Sequence, residues 1–388
     1  MLSSASKLSK TNIALLLSLT LAGGLACTEE KKKEEPMKLS SAKAPVVEEK
    51  APKKAAKKAA DSLTLPPMSP MKFPADNPQS PEKIALGNQL FFEKKLSADG
   101  SVSCYSCHQN ENGNGGATPT AVGAKEKKLS RHSPVIWNVG YLPVHYWDGR
   151  AASLEAQAKG AWGGGNMGVG KENLDKKAKE IAALPEYKEA FEKAFPGKEI
   201  SAELVAQAIS SYERTLVCDD TAYDKYAAGD KSALTDLQKD GLDVFMSKGM
   251  CTACHAPPLF STAYMGSGSF HNVGIGTKGV DEKDVDVGRM KVSEKETDWA
   301  AFKPPTLRNI SKSAPYFHDG SVATLKEAVK FMATGGQDNK NKSPLMSDKK
   351  FSDAEVDQVV AFLGALDCGG KLEAPQSPKT AQSPKTAQ

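Results

Sequence analysis

Cys104-Tyr-Ser-Cys-His108, with its echo Cys251-Thr-Ala-Cys-His255, decides how this chain reads. Each is a Cys-x-x-Cys-His element, the pattern by which haem c is attached. Two thiols add across the haem vinyl groups, and two intervening residues let both sulfurs reach one macrocycle. The adjacent His then sits where a ring nitrogen can bind the iron from the proximal side. A zinc site built from two Cys pairs competes with this reading, but it does not explain why His follows directly both times. A disulfide explains neither His. The expectation is two covalent haems, attached at Cys104, Cys107, Cys251 and Cys254, with His108 and His255 as metal ligands.

Working outward, 388 residues suffice for about two domains. A net charge of +4 gives no suggestion of nucleic-acid binding. Seven Cys leave Cys27, Cys218 and Cys368 after the haem pairs. Residues 1–27 read as an export signal: Lys7 and Lys10 precede an apolar run from Ile13 to Leu21, and small residues lead to Cys27. Gly24-Leu25-Ala26-Cys27 is similar to a lipoprotein cleavage box with Leu one place displaced. A lipid on Cys27 would hold the mature protein at a membrane surface; ordinary cleavage is the alternative. The run is short for a transmembrane helix. Residues 28–80, rich in Lys, Glu, Ala and Pro, read as a disordered tether. Residues 371–388, which repeat Gln-Ser-Pro-Lys-Thr-Ala, read as a disordered tail.

Between them the pattern is mainly α, with little strand signal. Ser80-Pro81 opens a helix whose face carries Ile84, Gly87 and Phe91. Gly113 to Gly123 reads as loop. Ser201 is expected to cap a helix bearing Val205, Ile209, Tyr212 and Leu216. Thr235-x-x-Gln238, Thr324-x-x-Glu327 and Ser352-x-x-Glu355 are capping boxes. The domains are expected at 81–230 and 231–370, each with one haem. Cys218 and Cys368 follow the last helix of each; an inter-domain disulfide and two buried thiols remain the alternatives.

From about residue 80 to 368 the chain resembles the bacterial di-haem cytochrome c peroxidase and MauG family. The motifs that carry this are Arg131-x-Ser133-Pro134 with Asn138, Trp147-Asp-Gly-Arg150-Ala151, Leu154-Glu-x-Gln157-Ala158, Phe270-His-Asn-Val-Gly274, Pro305-Thr-Leu-Arg308-Asn309 and Ala314-Pro-Tyr-Phe-His318-Asp-Gly320. The resemblance implies two cytochrome c-like domains face to face. It implies an N-terminal haem where peroxide reacts and a C-terminal haem that transfers electrons, with Trp147 between them. It implies Met332 as sixth ligand of the C-terminal haem, where a thioether raises the iron potential. Gln157 becomes a residue of the distal pocket. Arg150 and Arg308 become candidates for haem propionates or structural salt links.

Three departures stand out. Where the classical peroxidases carry a distal His, this chain has Ala124, which implies an N-terminal haem without that gate. Where they carry a Glu followed by Met, it has Asn166-Met167. An amide exchanges hydrogen bonds but cannot take the peroxide proton, so no acid is expected at that position; Met167 is an alternative weak ligand. Where the family usually has Asn, contributing to a calcium between the haems, it has His132, which suits a hard cation poorly.

The leading expectation is a periplasmic, lipid-anchored peroxidase. It would reduce hydrogen peroxide to water with electrons from a small cytochrome c or cupredoxin. A MauG-like oxidase, modifying Trp or Tyr of a partner protein, is the second reading. The Ala124 departure suits it and Met332 does not, because MauG has Tyr as that ligand. A non-enzymatic two-haem electron carrier is the third. Family members are often homodimers; no residue here requires it.

Overall fold

The computed structural model describes residues 68–265 and 269–375. The expected export signal, Cys27, most of the tether and the repeated tail lie outside them. Among the described residues there are helices and turns, with isolated β-bridges in place of strands. None of those helices is long and apolar enough to cross a membrane.

The N-terminal domain is built from α1 (Pro81–Phe92), α2 (Cys104–Cys107), α3 (Leu154–Gly163), α4 (Leu174–Ala182), α5 (Pro185–Ala194) and α6 (Ala202–Glu213). Ser80 caps α1 by accepting from the Lys83 amide at 3.2 Å, with Pro81 in the first turn, as its sequence predicts. Leu86, Leu90 and Phe91 of α1 pack with Val205, Ile209 and Tyr212 of α6. Gly87 permits the crossing: a Cβ there would lie 1.9 Å from the Ala208 carbonyl oxygen. Ser201 precedes α6 but its side chain makes no capping bond. Instead Asp175 of α4 accepts from the Ala202 amide at 2.7 Å, bringing a carboxylate to the positive helix end.

The C-terminal domain repeats this scheme with α7 (Ala222–Ala227), α8 (Asp236–Met246), α9 (Met290–Ser293), α10 (Leu325–Ala333) and α11 (Asp353–Gly364). The capping boxes at Thr235, Thr324 and Ser352 form as their spacing predicts. Leu242 and Phe245 of α8 pack with Val356, Val359, Phe362 and Leu363 of α11. The crossing is again at a glycine, Gly241, whose Cβ would lie 1.9 Å from the Gln358 carbonyl oxygen.

The edges of the expected segments shift. Tyr223 and Tyr226 of α7, assigned by sequence to the first domain, sit in the second core. The end of the expected tether is packed: Asn77 is buried and donates to Glu155 at 2.8 Å and to the Gln207 carbonyl at 2.9 Å. The start of the expected tail is packed too, with Leu372 buried in the N-terminal core and its amide bonded to Asn110 at 2.8 Å. Polar side chains hold these stretches, so an apolar pattern does not reveal them.

Cys218 and Cys368 form a disulfide, which joins the end of one domain to the end of the other. Asn138 and Asn309, both in left-handed backbone conformation, brace its two halves. Asn138 Oδ1 accepts from the Cys218 amide at 2.9 Å, and Asn309 Oδ1 from the Cys368 amide at 3.1 Å. Further bonds cross between the domains: the His132 amide to the His318 carbonyl at 2.7 Å, and Asn309 Nδ2 to the Gly113 carbonyl at 2.8 Å.

Candidate haem sites and the wall between them

Each Cys-x-x-Cys-His element borders its own cavity. Cys107 and His108 line one, together with Val135, Gln157 and Asn166. Cys251, Cys254 and His255 line the other, together with Met332. The four cysteines of the two elements are not paired in disulfides, in contrast to Cys218 and Cys368.

The two histidines are prepared alike. His108 Nδ1 lies 3.2 Å from the Asn114 carbonyl, and His255 Nδ1 lies 3.0 Å from the Phe260 carbonyl. A carbonyl can only accept, so each Nδ1 carries the proton and each Nε2 is left with a lone pair. Burial pushes both imidazoles down to about 4, so both are neutral. A neutral imidazole oriented through its other nitrogen is what an iron ligand requires. The C-terminal cavity is mainly apolar and the N-terminal one carries charged and polar side chains along its rim, and with a Cys pair at each His the donor sets fit a haem in each cavity.

Trp147, His132, Val135, Lys303, Pro305 and Thr306 line both cavities and form the wall between them. Trp147 is held at two points. Its Nε1 donates to the His132 carbonyl at 2.8 Å, and its carbonyl accepts from the Lys303 amide at 2.8 Å. His132 Nδ1 donates in turn to the Thr118 carbonyl at 2.9 Å.

Trp147 and His318 occupy matching turns. In one, His145 bridges Ala151, with positive φ at Tyr146 (67°) and Gly149 (68°). In the other, Tyr316 bridges Val322, with positive φ at Phe317 (69°) and Gly320 (63°). The chain therefore carries the same turn twice, with Trp147-Asp148 in the first and His318-Asp319 in the second.

Of the two arginines, Arg150 lines the N-terminal cavity, with Nη1 2.9 Å from Asp148 and its guanidinium stacked 3.5 Å over Tyr146. Arg308 corrects the cofactor-binding expectation in favour of a structural salt link. It is fully buried and lines neither cavity. Its Nη1 and Nη2 each reach Asp224 at 2.7 Å, and its Nε donates to the Pro258 carbonyl at 2.8 Å. Arg131 ties the domains, gripping Asp286 through Nε and Nη2 (2.6 and 2.8 Å) and Asp148 through Nη1 (2.6 Å).

Gln157 and Asn166 face the same cavity, and among the described residues neither side-chain amide is bonded to another side chain. Met167 is buried in the N-terminal core. Ala124 is buried as well, its amide bonded to the Asn166 carbonyl at 2.9 Å. Gly123 lets the two loops meet, since a Cβ there would lie 2.2 Å from the Gly165 carbonyl oxygen.

Sequence reasoning missed two charged residues here. Lys303 lies in the wall, where burial lowers its ammonium to about 8. Glu213 lines the N-terminal cavity, where burial raises its carboxyl to about 8. Glu213 had a signal, because it falls one helical turn after Ile209 on the buried face of α6.

A family model described as "Di-haem cytochrome c peroxidase" matches residues 81–232. The chain is 34% identical over 300 residues to the cytochrome c551 peroxidase of Nitrosomonas europaea, covering 77% of this chain and 84% of that protein. The chain belongs to the di-haem cytochrome c peroxidase family. Its activity class is that of an oxidoreductase of the cytochrome c peroxidase type, and the family's cofactor is haem c. The methylamine utilization protein MauG of Methylorubrum extorquens is 35% identical over 312 residues, covering 79% of this chain and 84% of that one. A solved MauG-like protein associated with microbial copper homeostasis superposes with a TM-score of 0.71 at 29% identity, over 79% of this chain and 95% of that one. The family's two-domain, mainly helical architecture is the one described above.

Proposed function

We propose that this protein is a periplasmic di-haem peroxidase that reduces hydrogen peroxide to water. Its electrons come from a small cytochrome c or a cupredoxin. The observation that carries this reading is the pair of matched His and Cys sets on two cavities that share Trp147 as a wall. Haem bound at each set supplies the redox chemistry.

The residues then divide the work. Cys104 and Cys107 attach one haem and Cys251 and Cys254 the other; His108 and His255 are the proximal ligands. Met332 would offer its thioether to the iron of the C-terminal haem, where electrons would enter. Trp147 carries them across the wall. Gln157 and Asn166 orient peroxide by hydrogen bonds. The matching helices α3 and α10 favour an N-terminal site open to peroxide: counted from the caps Ser153 and Thr324, Ala161 stands where the C-terminal domain has Met332. Arg150 is free on one edge to reach a propionate.

Calcium between the haems has little support, because His132 brings an imidazole, its Nδ1–H bonded to the Thr118 carbonyl, where the family usually has Asn and a hard cation prefers oxygen. The export-signal pattern of residues 1–27 supports a place outside the cytoplasm, with a lipid on Cys27 as its anchor. The second reading, oxidation of a partner protein's Trp or Tyr, draws on the same open site and on the likeness to MauG.

Steady-state assays separate the two. Reduced small cytochrome c or cupredoxin should be oxidised over many turnovers, with two donor molecules consumed per peroxide. Oxidation of a donor at less than one equivalent per protein would sink the peroxidase reading.

A further inference from the structure

Glu213 stands at the end of α6, 7% exposed, and lines the cavity of His108, Gln157 and Asn166. Its Oε2 is buried without a hydrogen-bond partner. The other acids along this cavity are otherwise placed: Asp148 is spent on Arg131 and Arg150, Asp286 on Arg131, and Asp284 sits in a surface turn. The charged and titratable groups that face Glu213 are Arg214, which caps the end of its helix, Glu155 on α3, and Cys104, Tyr146 and Tyr212. Arg214 would draw out the charged form, but both its Nη atoms are committed to Glu155, at 2.7 and 3.1 Å.

We propose that Glu213 is the proton store of the N-terminal haem cavity, supplying the proton that Asn166 cannot. This deepens the peroxidase reading and rests on it. Peroxide reduction takes up two protons and two electrons and yields two waters. The Glu213 O–H bond breaks, and its proton goes to the oxygen that leaves as water when the O–O bond is cleaved. Two molecules of reduced small cytochrome c or cupredoxin supply one electron each, and the second proton, drawn from solvent, goes to the oxygen that remains. The carboxylate takes its next proton from solvent through the cavity. Burial, which pushes the carboxyl up to about 8, keeps the acid neutral and loaded at pH 7.

The test uses the full haem-loaded protein and Glu213→Gln, which keeps the shape and removes the acid. Infrared spectra at pH 7 in H2O and D2O should show a deuterium-sensitive carboxylic acid band that is missing from the variant. The peroxide step, followed by stopped flow, should slow on the order of 100-fold in the variant. It should also lose the pH dependence that wild type shows near pH 8. A band that persists in Glu213→Gln, or a peroxide step unchanged in rate and pH profile, overturns the proposal. A band lost as expected in a protein that never oxidises donor with peroxide keeps the stored proton and overturns the peroxidase reading instead. If Glu213→Gln does not load haem, Glu213→Asp takes its place. It keeps the acid on a shorter arm and should shift both band and pH profile; no shift in either overturns the proposal.

Discussion

The indole of Trp147 and the imidazole of His318 meet edge to face between the two domains, with ring centroids 6.4 Å apart and planes at 67°. They occupy the same place in two copies of one turn, so the contact has an approximate two-fold character. His318 is stacked on Phe302 at 3.7 Å, and Arg131 lies 5.3 Å from the Phe302 ring. This packing, with the indole bond to His132, fixes Trp147 in the wall both cavities share. An aromatic ring so held can offer an electron path without reorganising.

Replacing Trp147 by Phe therefore separates structure from electron flow. The variant keeps an aromatic ring, though a smaller one, and loses the indole hydrogen bond, at a cost of about 1 kcal/mol for the bond with the cavity adding to it. Donor oxidation driven by peroxide should fall sharply, while direct reduction of the C-terminal haem by the donor stays at the wild-type rate. Stopped-flow absorbance reads both. Equal slowing of the two would deny Trp147 its role.

Met332 is a test of ligation. Met332→His replaces a thioether by imidazole, and the potential of the C-terminal haem should fall, because a Met ligand raises it. Spectroelectrochemical titration checks this. An unchanged potential would return Met332 to the role of a side chain that merely lines the cavity.

The Cys218–Cys368 disulfide closes a loop of 150 residues. Replacing both cysteines by Ala should lower stability by roughly 2–5 kcal/mol, mainly by freeing the unfolded chain. Urea unfolding of the haem-loaded protein, with and without the substitutions, measures the loss.

Glu213 also predicts a pH dependence of stability. Its carboxyl rises from an ordinary 4.5 to about 8 on folding, so between those values the folded state holds a proton that the unfolded state has released. That contribution to stability is full below pH 4.5 and is lost as pH rises through 8. Glu213→Gln should therefore gain on wild type as pH is raised across this window. Melting temperatures at pH 5, 7 and 9 give the comparison, and a constant difference would contradict it.

What was legible in the chain was local. The Cys-x-x-Cys-His elements, the capping boxes and the Ser80-Pro81 start depend on neighbours a few residues apart. What was hidden depends on distant partners. Asn77, polar and just outside the first periodic run, is buried because Glu155 and Gln207 receive it. Tyr223 and Tyr226 join the second core although they precede the break at residue 230. A search for an acid near Asn166 along the chain finds none, because Glu213 arrives from another helix. For Arg308 the motif leaves a propionate contact and a salt link open, because the partner that decides it, Asp224, lies 84 residues away.

The most direct measurement is stopped-flow spectroscopy of the half-reduced, haem-loaded protein mixed with hydrogen peroxide and then with reduced small cytochrome c. A fast spectral change at the His108 haem is expected, followed by donor oxidation through many turnovers. Two six-coordinate, low-spin haems that do not respond to peroxide, oxidised or half-reduced, would contradict it and leave the protein an electron carrier.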